Sequence, residues 1–289
     1  MLNKFKFFVT SLFKIRFLEN LLVSNFVQKS RFNWFIIRKV APRRFQYEPK
    51  TLKKATRNGI NYELDLSQHI DYSIFFGLTT DSSRRKLYEL ATKSTIIIDI
   101  GTNIGEVVLN FARILDNKGK VYGFEPNNHS FQKLQKNISL NNFNCIEIMN
   151  YGLSHNNENF ELSEVIPENA GANRILAAKT TNIPSQTIQT MRFDDFVSNK
   201  QITNIDLIKI DVEGFEYFVL QGAKATLEKY KPKLFIELID KHLKVHGFSA
   251  RILVDFLDNL GYKSYNADTN IYISKNYDLE NCIFDIYSL

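Results

Sequence analysis

One segment in the middle of the chain constrains the fold more than any other. Residues 96–100 read Ile-Ile-Ile-Asp-Ile, and Gly101 and Gly105 follow, four positions apart. A buried strand, a tight glycine turn and the helix-like run 106–115 would form in that order. Glycines at such a turn let backbone N–H groups approach a nucleotide-like ligand at the helix N-terminus. The segment therefore predicts a ligand-binding α/β sheet.

A second apolar run ends on an acid that makes the ligand more specific. Glu125 follows residues 120–124 and lies 20 residues after Gly105, a spacing at which a carboxylate can accept both ribose hydroxyls of an adenosine. The loop reads Gly-x-Asn-x-Gly rather than the dinucleotide Gly-x-Gly-x-x-Gly, and Asp99 would repel a pyrophosphate. It would not repel the ammonium and sulfonium of S-adenosylmethionine, which we predict as the cofactor. A purely structural glycine turn is the alternative.

The first part of the chain carries a strong positive charge. Residues 1–57 hold 14 of the 37 Lys and Arg residues and only two acids, a net charge of +12 against −6 for residues 58–289. The segment is rich in Phe, but its early apolar run, residues 7–9, is too short for a signal-peptide core or a membrane span. We predict a helical, basic N-terminal arm at 1–57 and one α/β domain at 58–289.

The composition of this arm suits an anionic membrane surface. A helix packed on the body with solvated lysines and an oligomer contact are the alternatives. Nucleic acid is not an expected partner, because no nucleic-acid-binding motif accompanies the charge. The two cysteines, Cys145 and Cys282, match neither a disulfide framework nor a metal-ligand spacing. These features predict a cytoplasmic protein, peripheral on the inner face of the membrane if the arm binds lipid, and leave the oligomeric state open.

Beyond the arm, strand-like and helix-like runs alternate. The predicted strands are 60–66, 94–100, 119–124, 144–150, 205–211, 233–239, 261–266 and 271–274, and the predicted helices are 81–93, 103–116, 128–141, 193–198, 215–229 and 248–259. Residues 154–190 interrupt the alternation, as a binding loop or lid does, with a short strand predicted at 159–163. The pattern predicts one doubly wound α/β sheet whose ligands lie beyond the carboxyl ends of its strands.

Potential catalytic groups follow two of the later strands. Asp211 and Glu213 follow the run 205–210, whereas Glu237 ends the next strand and His242 lies just beyond it. We predict these four residues as the catalytic group.

Each of these assignments has a structural alternative. Asp211 and Glu213 could cap the helix that follows them. Glu237 could form an ion pair with Lys209 or Lys233, and the histidine could be an exposed helix residue.

Methyl transfer to a hydroxyl asks the protein to align donor and acceptor and to remove one proton. A carboxylate or an imidazole within reach is sufficient. A divalent cation such as Mg²⁺, held by Asp211 and Glu237, would act differently, by lowering the pKa of the hydroxyl.

Four segments in order resemble the FkbM family of S-adenosylmethionine-dependent methyltransferases. They are residues 99–105, 124–126, 207–216 and 234–237. The resemblance covers residues 58–275 and implies a seven-stranded, Rossmann-like class I methyltransferase fold with an antiparallel last strand. It also implies O-methylation, since many relatives act on sugars, glycans or natural products.

The resemblance also implies roles for single residues. Those around the methionine end of the cofactor are Asp99, Gly101, Thr102, Asn103 and Gly105, with Thr102 at a position where the family commonly has Ala. Those around the adenosine are Glu125, Asn150, Tyr151 and Gly152. Asp211 and Glu213 would lie beside the methyl group, so Asp211 counts as both a catalytic and a cofactor-binding residue.

The sequence therefore predicts an S-adenosylmethionine-dependent O-methyltransferase acting on a hydroxyl of a glycan, a glycolipid or a related metabolite. The first alternative is a nicotinamide-dependent oxidoreductase, against which Asp99 and the loop spacing argue. The second is an inactive methyltransferase fold kept as a membrane scaffold. Intact Gly101, Gly105, Glu125 and Asp211 argue against that decay.

Overall fold

The computed structural model describes residues 41–79, 81–163, 174–175 and 184–289. The described chain divides after Asp81 into two units, which are considered separately. Residues 1–40 lie outside the described residues, as does most of 164–183, so the helical arm stays a prediction. Residues 52–57, at the end of the predicted arm, form a strand, and the boundary at residue 57 stays a prediction. Among the described helices, none is long and apolar enough to cross a membrane.

The first unit contains a hairpin and one short helix. A 3₁₀ turn at Arg44–Gln46 precedes the antiparallel strands β1 (Leu52–Arg57) and β2 (Ile60–Asp65), and helix α1 (His69–Phe75) follows. The two-residue turn has positive φ at Asn58 and Gly59, the combination that suits the twist of a tight hairpin. The strand predicted at 60–66 is thus confirmed.

The second unit is built on a seven-stranded sheet. Its strands are β3 (Ile96–Ile100), β4 (Lys120–Phe124), β5 (Ile146–Met149), β10 (Leu207–Ile210), β11 (Lys233–Ile239), β12 (Ser264–Asn266) and β13 (Ile283–Ser288). They lie in the order β12-β13-β11-β10-β3-β4-β5. The five strands from β11 to β5 are parallel, whereas β13 is antiparallel to both of its neighbours. The predicted doubly wound sheet is confirmed.

Helices connect these strands. They are α2 (Ser82–Ala91), α3 (Glu106–Leu115), α4 (Asn128–Ser139), α5 (Phe193–Asn199), α6 (Glu216–Gly222), α7 (Lys224–Tyr230), α8 (Asp240–Val245) and α9 (Ala250–Asn259). The central strand β10 is buried along its whole length, as expected for a strand covered on both faces. Ile98, Ile208 and Ile236 from three adjacent strands belong to one apolar core.

The interruption predicted at 154–190 contains a second, smaller sheet. Strands β6 (Gly152–Ser154), β7 (Asn159–Ser163), β8 (Arg174–Ile175) and β9 (Ser185–Arg192) lie in the order β6-β9-β7-β8. The short strand predicted at 159–163 is confirmed as β7, whereas β9 occupies part of a region that the sequence predicts as irregular. The rest of the predicted binding loop lies outside the described residues.

Two predicted elements differ from the structure. The helix expected at 215–229 is two helices that meet at Ala223. The strand expected at 271–274 is wrong: Tyr272 makes only an isolated bridge to Tyr265, and it is 45% exposed. The antiparallel strand of the sheet is instead β13, which pairs with β11 over six residues and buries Ile286 completely.

Candidate functional site

The loop after β3 needs its first glycine because it runs against the backbone that follows β10. Gly101 has φ +82°, and a Cβ placed on it would lie 1.8 Å from the carbonyl oxygen of Asp211. Both backbone N–H groups at the start of the loop, those of Gly101 and Thr102, donate to the carbonyl of Phe124. The loop predicted to bind the cofactor and the strand end predicted to carry catalysis are therefore adjacent.

The second glycine is required at the start of α3. Gly105 has φ +99° and precedes the helix directly, and a Cβ there would lie 2.7 Å from a methyl group of Leu134. Between the glycines, Asn103 also adopts a left-handed conformation, with φ +50°. Three residues of this short turn thus have positive φ, a backbone conformation that only Gly and, to a lesser extent, Asn tolerate well.

Thr102 supports the loop from beneath. Its side chain is 3% exposed, and its hydroxyl donates to the carbonyl of Asp99 at 3.0 Å. A Cβ on Gly123 of the neighbouring strand would lie 2.9 Å from that hydroxyl. Thr102 therefore shapes the turn with its side chain.

A buried lysine joins the two strand ends. The ammonium nitrogen of Lys209 lies 3.4 Å from a carboxylate oxygen of Asp99 and 3.4 Å from one of Asp211. It also donates to the carbonyl of Gly101 at 3.0 Å. Burial lowers the pKa of Lys209, but the charges of Asp211 and Asp99 outweigh it and the pKa is raised.

The sequence analysis named Lys209 only as an alternative ion-pair partner of Glu237. The structure places Lys209 between Asp99 and Asp211 instead. The second suggested partner, Lys233, donates to the carbonyl of Leu90. The two-residue spacing of Lys209 and Asp211 was a sequence signal for one of these contacts, whereas the contact with Asp99 depends on the register of β10 against β3.

Three oxygen atoms beside the loop accept no hydrogen bond within the described part of the chain, although one of them, on Asp99, lies 3.4 Å from the ammonium nitrogen of Lys209. They are both carboxylate oxygens of Asp99 and the side-chain carbonyl oxygen of Asn103, all buried. An unpaired acceptor in a buried position is costly. A cationic donor such as the ammonium group of an amino acid would satisfy these atoms, so they fit the methionine end of S-adenosylmethionine.

Glu125 connects the same loop to the following strand. Its carboxylate accepts hydrogen bonds from the backbone N–H groups of Asn103 at 2.8 Å and Asn127 at 2.9 Å, one on each oxygen. Burial raises its pKa to about 7, although both amides oppose the shift. Each carboxylate oxygen keeps one further lone pair, which is what recognition of two ribose hydroxyls requires.

The predicted adenine segment borders Glu125. Asn150 donates from its side-chain amide to the carbonyl of Glu125 at 3.0 Å, and the ring of Tyr151 contacts Phe124 edge to face. Gly152 begins β6. These three residues thus lie at the carboxyl ends of β4 and β5, on the same edge of the sheet as the glycine loop.

The acidic residues after β10 lie in a sharply turned loop. Glu213 has φ +55° and Gly214 has φ +106°. A Cβ on Gly214 would lie 2.8 Å from the carbonyl oxygen of His242. This close approach brings the carboxylate of Glu213 to 3.3 Å from Nδ1 of His242.

Glu216 was not among the predicted site residues, and it holds this loop in place. Its buried carboxylate accepts hydrogen bonds from the backbone N–H groups of Val212 and Gly214. Burial raises its pKa to about 7. The available signal was its position in the first turn of α6, where an acid can turn back to satisfy the N–H groups that precede the helix.

Glu237 completes the acidic group. Burial raises its pKa to about 10, with further contributions from the carboxylates of Asp211, Glu213, Glu216 and Asp285. Ligand atoms of Glu237, Glu213 and His242 lie within 4.8 Å of one another. Three of the four predicted catalytic residues therefore converge, and the fourth, Asp211, is bound by Lys209 beside them.

The strand order, the glycine loop after the first strand of the parallel sheet and the acid after the second define a Rossmann-like class I methyltransferase. The chain belongs to the FkbM methyltransferase family: the family model described as the methyltransferase FkbM domain matches residues 99–264, more than half of the chain.

Named relatives are similar over part of their length. The hexuronic acid methyltransferase AglP of Haloferax volcanii is 31% identical over 144 residues, which are 50% of this chain and 56% of the relative. The 2-O-methyltransferase NoeI of Sinorhizobium fredii is 26% identical over 60% of this chain and 75% of its own. A crystal structure of an FkbM methyltransferase from Methylobacillus flagellatus superposes with a TM-score of 0.44 at 19% identity, covering 68% of this chain and 44% of that one.

Proposed function

We propose that this protein is an S-adenosylmethionine-dependent O-methyltransferase that acts on a hydroxyl of a sugar-type acceptor, in a glycan, a glycolipid or a related metabolite. The observation that carries the proposal is the contact between Gly101 and the backbone of Asp211. It makes the cofactor loop continuous with a group of carboxylates and an imidazole. The names of AglP and NoeI, a hexuronic acid methyltransferase and a 2-O-methyltransferase, support a sugar hydroxyl as the acceptor.

The residues of the glycine loop have distinct tasks in cofactor binding. Asp99 and Asn103 would receive the ammonium group of the methionine end, because their buried oxygens need donors. Glu125 would accept the ribose hydroxyls with its remaining lone pairs. The single positive charge of Lys209 lies between the two aspartates and offsets part of their negative charge, which helps Asp99 to stay buried beside a second carboxylate.

When bound, the cofactor supplies an electrophilic methyl group on a sulfonium. The chain has to hold the acceptor hydroxyl in line and to take its proton. Asp211 is 37% exposed at its side chain and lies at the junction of the two groups. We assign it the proton, with Glu213, Glu237 and His242 shaping the acceptor side.

The cofactor is tested by titrating the full chain with S-adenosylhomocysteine and with NAD⁺ in a calorimeter. We expect micromolar binding of S-adenosylhomocysteine and none of NAD⁺. Asp99→Asn should weaken binding at least tenfold, and Asp255→Asn on the exposed face of α9 serves as the matched control. Binding of NAD⁺ alone would favour the oxidoreductase alternative.

The acceptor is tested with radiolabelled S-adenosylmethionine and a panel of glycans that contain uronic acids or free 2-hydroxyls. Methyl ether formation on a sugar hydroxyl supports the proposal. Tight cofactor binding without transfer to any member of the panel, or transfer to nitrogen or carbon, would contradict the sugar O-methylation and bring the scaffold alternative forward.

The basic arm would hold the enzyme at an anionic membrane, on the cytoplasmic face. Its charge of +12 within 57 residues and its Phe content support this location. A lipid-linked sugar would be the acceptor presented at such a surface.

A further inference from the structure

Three metal-ligating side chains from separate segments converge on the acceptor side of the sheet. Glu213 lies in the loop after β10, Glu237 in β11 and His242 in α8. One ligand atom of each lies within 4.8 Å of those of the other two. Within the described residues, this is the one group of three or more His, Cys, Asp or Glu side chains with such spacing.

We propose that Glu213, Glu237 and His242 bind a divalent first-row transition-metal ion, of the Mn²⁺ or Zn²⁺ type. Two carboxylate oxygens and one imidazole nitrogen form a mixed donor set that suits these ions. Mg²⁺ prefers oxygen ligands and gives up its water reluctantly. The structure therefore favours a different ion and a different ligand set from the Mg²⁺ that the sequence suggested for Asp211 and Glu237.

The charges around Glu237 support a cation at this position. A carboxylate oxygen of Glu213 lies within 4.8 Å of one of Glu237. Lys209, a buried cation on the neighbouring strand β10, is engaged between Asp99 and Asp211. A dication at the three ligands would turn a mutually repelling set of carboxylates into an attractive one.

The backbone around the group is arranged to hold it. Gly214 lets the loop pass against the carbonyl of His242, where any Cβ would collide. Glu216 fixes the same loop through two backbone N–H groups. The ligand positions of Glu213 and His242 are therefore set by packing rather than by the mutual attraction of their side chains.

Metal binding itself is independent of methyl transfer, whereas its role rests on the proposed function. An ion at this position would coordinate the acceptor hydroxyl and lower its pKa, so that the proton passes more easily to Asp211. The three ligands leave open positions for such an oxygen, as catalytic metal sites do.

The test uses the full chain, stripped with EDTA and dialysed, and titrated with Mn²⁺ while free Mn²⁺ is followed by electron paramagnetic resonance. We expect one Mn²⁺ per chain, displaced by Zn²⁺ and not by an equal concentration of Mg²⁺. Glu237→Gln and His242→Gln should each weaken Mn²⁺ binding at least tenfold. The matched controls are Glu228→Gln and His129→Gln, two exposed helix residues outside the group, and they should bind as the unmodified chain does.

Thermal melting by circular dichroism checks that each variant is folded, and Glu213→Gln replaces any variant that is not. Absence of Mn²⁺ and Zn²⁺ binding, or unchanged affinity in the ligand variants, would overturn the proposal. Equal displacement by Mg²⁺ would remove His242 from the ligand set and overturn it as well. If metal binding fails while methyl transfer to a sugar persists, the proposed function is retained and the metal site is rejected. If metal binds and no transfer occurs, the metal site is retained and the proposed function is rejected.

Discussion

Asp99 and Lys209 face each other across two parallel strands, as paired residues of β3 and β10, with a carboxylate oxygen 3.4 Å from the ammonium nitrogen. Both side chains are almost completely buried. Neither charge would be stable at this depth without the other. The pair therefore makes the cofactor loop and the catalytic strand depend on one another.

Replacement of the lysine should expose this dependence. Lys209→Met keeps the length of the side chain but leaves Asp99 buried without its cation, so we expect a loss of about 3–5 kcal/mol of unfolding free energy. Urea denaturation measures it. Lys224→Met, which removes an exposed ion pair on α7, should cost less than about 1 kcal/mol. Equal effects of the two variants would show that Lys209 contributes no more than a surface charge.

The close approach at the first loop glycine can be separated from its backbone conformation. Gly101 and Gly247 have nearly the same φ, +82° and +80°, but a Cβ meets Asp211 in one case and open space in the other. Gly247→Ala should cost only the strain of a left-handed alanine, about 1–2 kcal/mol. Gly101→Ala should cost more in urea denaturation and should abolish S-adenosylhomocysteine binding. Similar costs at both positions would contradict the contact.

Cofactor affinity should depend on pH through Glu125. In the free protein its pKa is raised to about 7, so its contribution to stability is present at low pH and is lost as the pH rises from its unfolded value towards 7. Ribose hydroxyls donate to the ionised carboxylate, so S-adenosylhomocysteine should bind up to about tenfold more tightly at pH 8 than at pH 6. Calorimetry at both pH values measures the difference. Glu125→Gln should flatten it, and a pH dependence that survives this change would move the titrating group elsewhere, with Glu216 the first candidate.

Asp211→Asn should separate chemistry from cofactor binding. The substitution preserves shape but removes the proposed proton acceptor, so kcat should fall by about 10²–10⁴-fold. S-adenosylhomocysteine affinity should change far less, since Asp99 and Glu125 remain. Steady-state kinetics with the sugar acceptor and calorimetry give the two values. An equal loss in both would place Asp211 on the cofactor alone.

Deletion of residues 1–45 tests the arm. Binding to vesicles of anionic lipid should be lost, and for the full chain it should weaken with rising salt because the attraction is electrostatic. S-adenosylhomocysteine affinity should be retained, because every predicted cofactor residue lies beyond residue 98. Vesicle binding that survives the deletion, or that is insensitive to salt, would contradict membrane attachment through this charge.

The sequence predicted the parallel part of the sheet well because its strands have a recognisable local pattern. Residues 96–100 and 207–210 are nearly continuous apolar runs, and each leads into a glycine or an acid. The antiparallel strand β13, next to the edge of the sheet, was harder to predict. Residues 283–288 alternate weakly, and their place in the sheet follows from pairing with β11, which no local pattern reveals.

The sequence predicted the individual residues of the site but not the contacts between them. Asp99 was found from its position near the end of a strand, and Glu125 and Asp211 from their positions directly after strands. The position of Lys209 depends on the register of β10 against β3, and the encounter of Glu213 with His242 depends on the turn at Gly214. Such relationships arise from the packing of distant segments, and a linear pattern cannot specify them.

The central pair of strands also has a consequence for how the sheet is assembled. Lys209 is flanked in β10 by Ile208 and Ile210, both fully within the apolar core. A slip of one residue between β10 and β3 would point the ammonium group of Lys209 into the apolar core and pair an isoleucine with Asp99. The charged pair therefore selects the register during folding, because among the neighbouring registers only this one lets the sheet form without burying two unpaired charges.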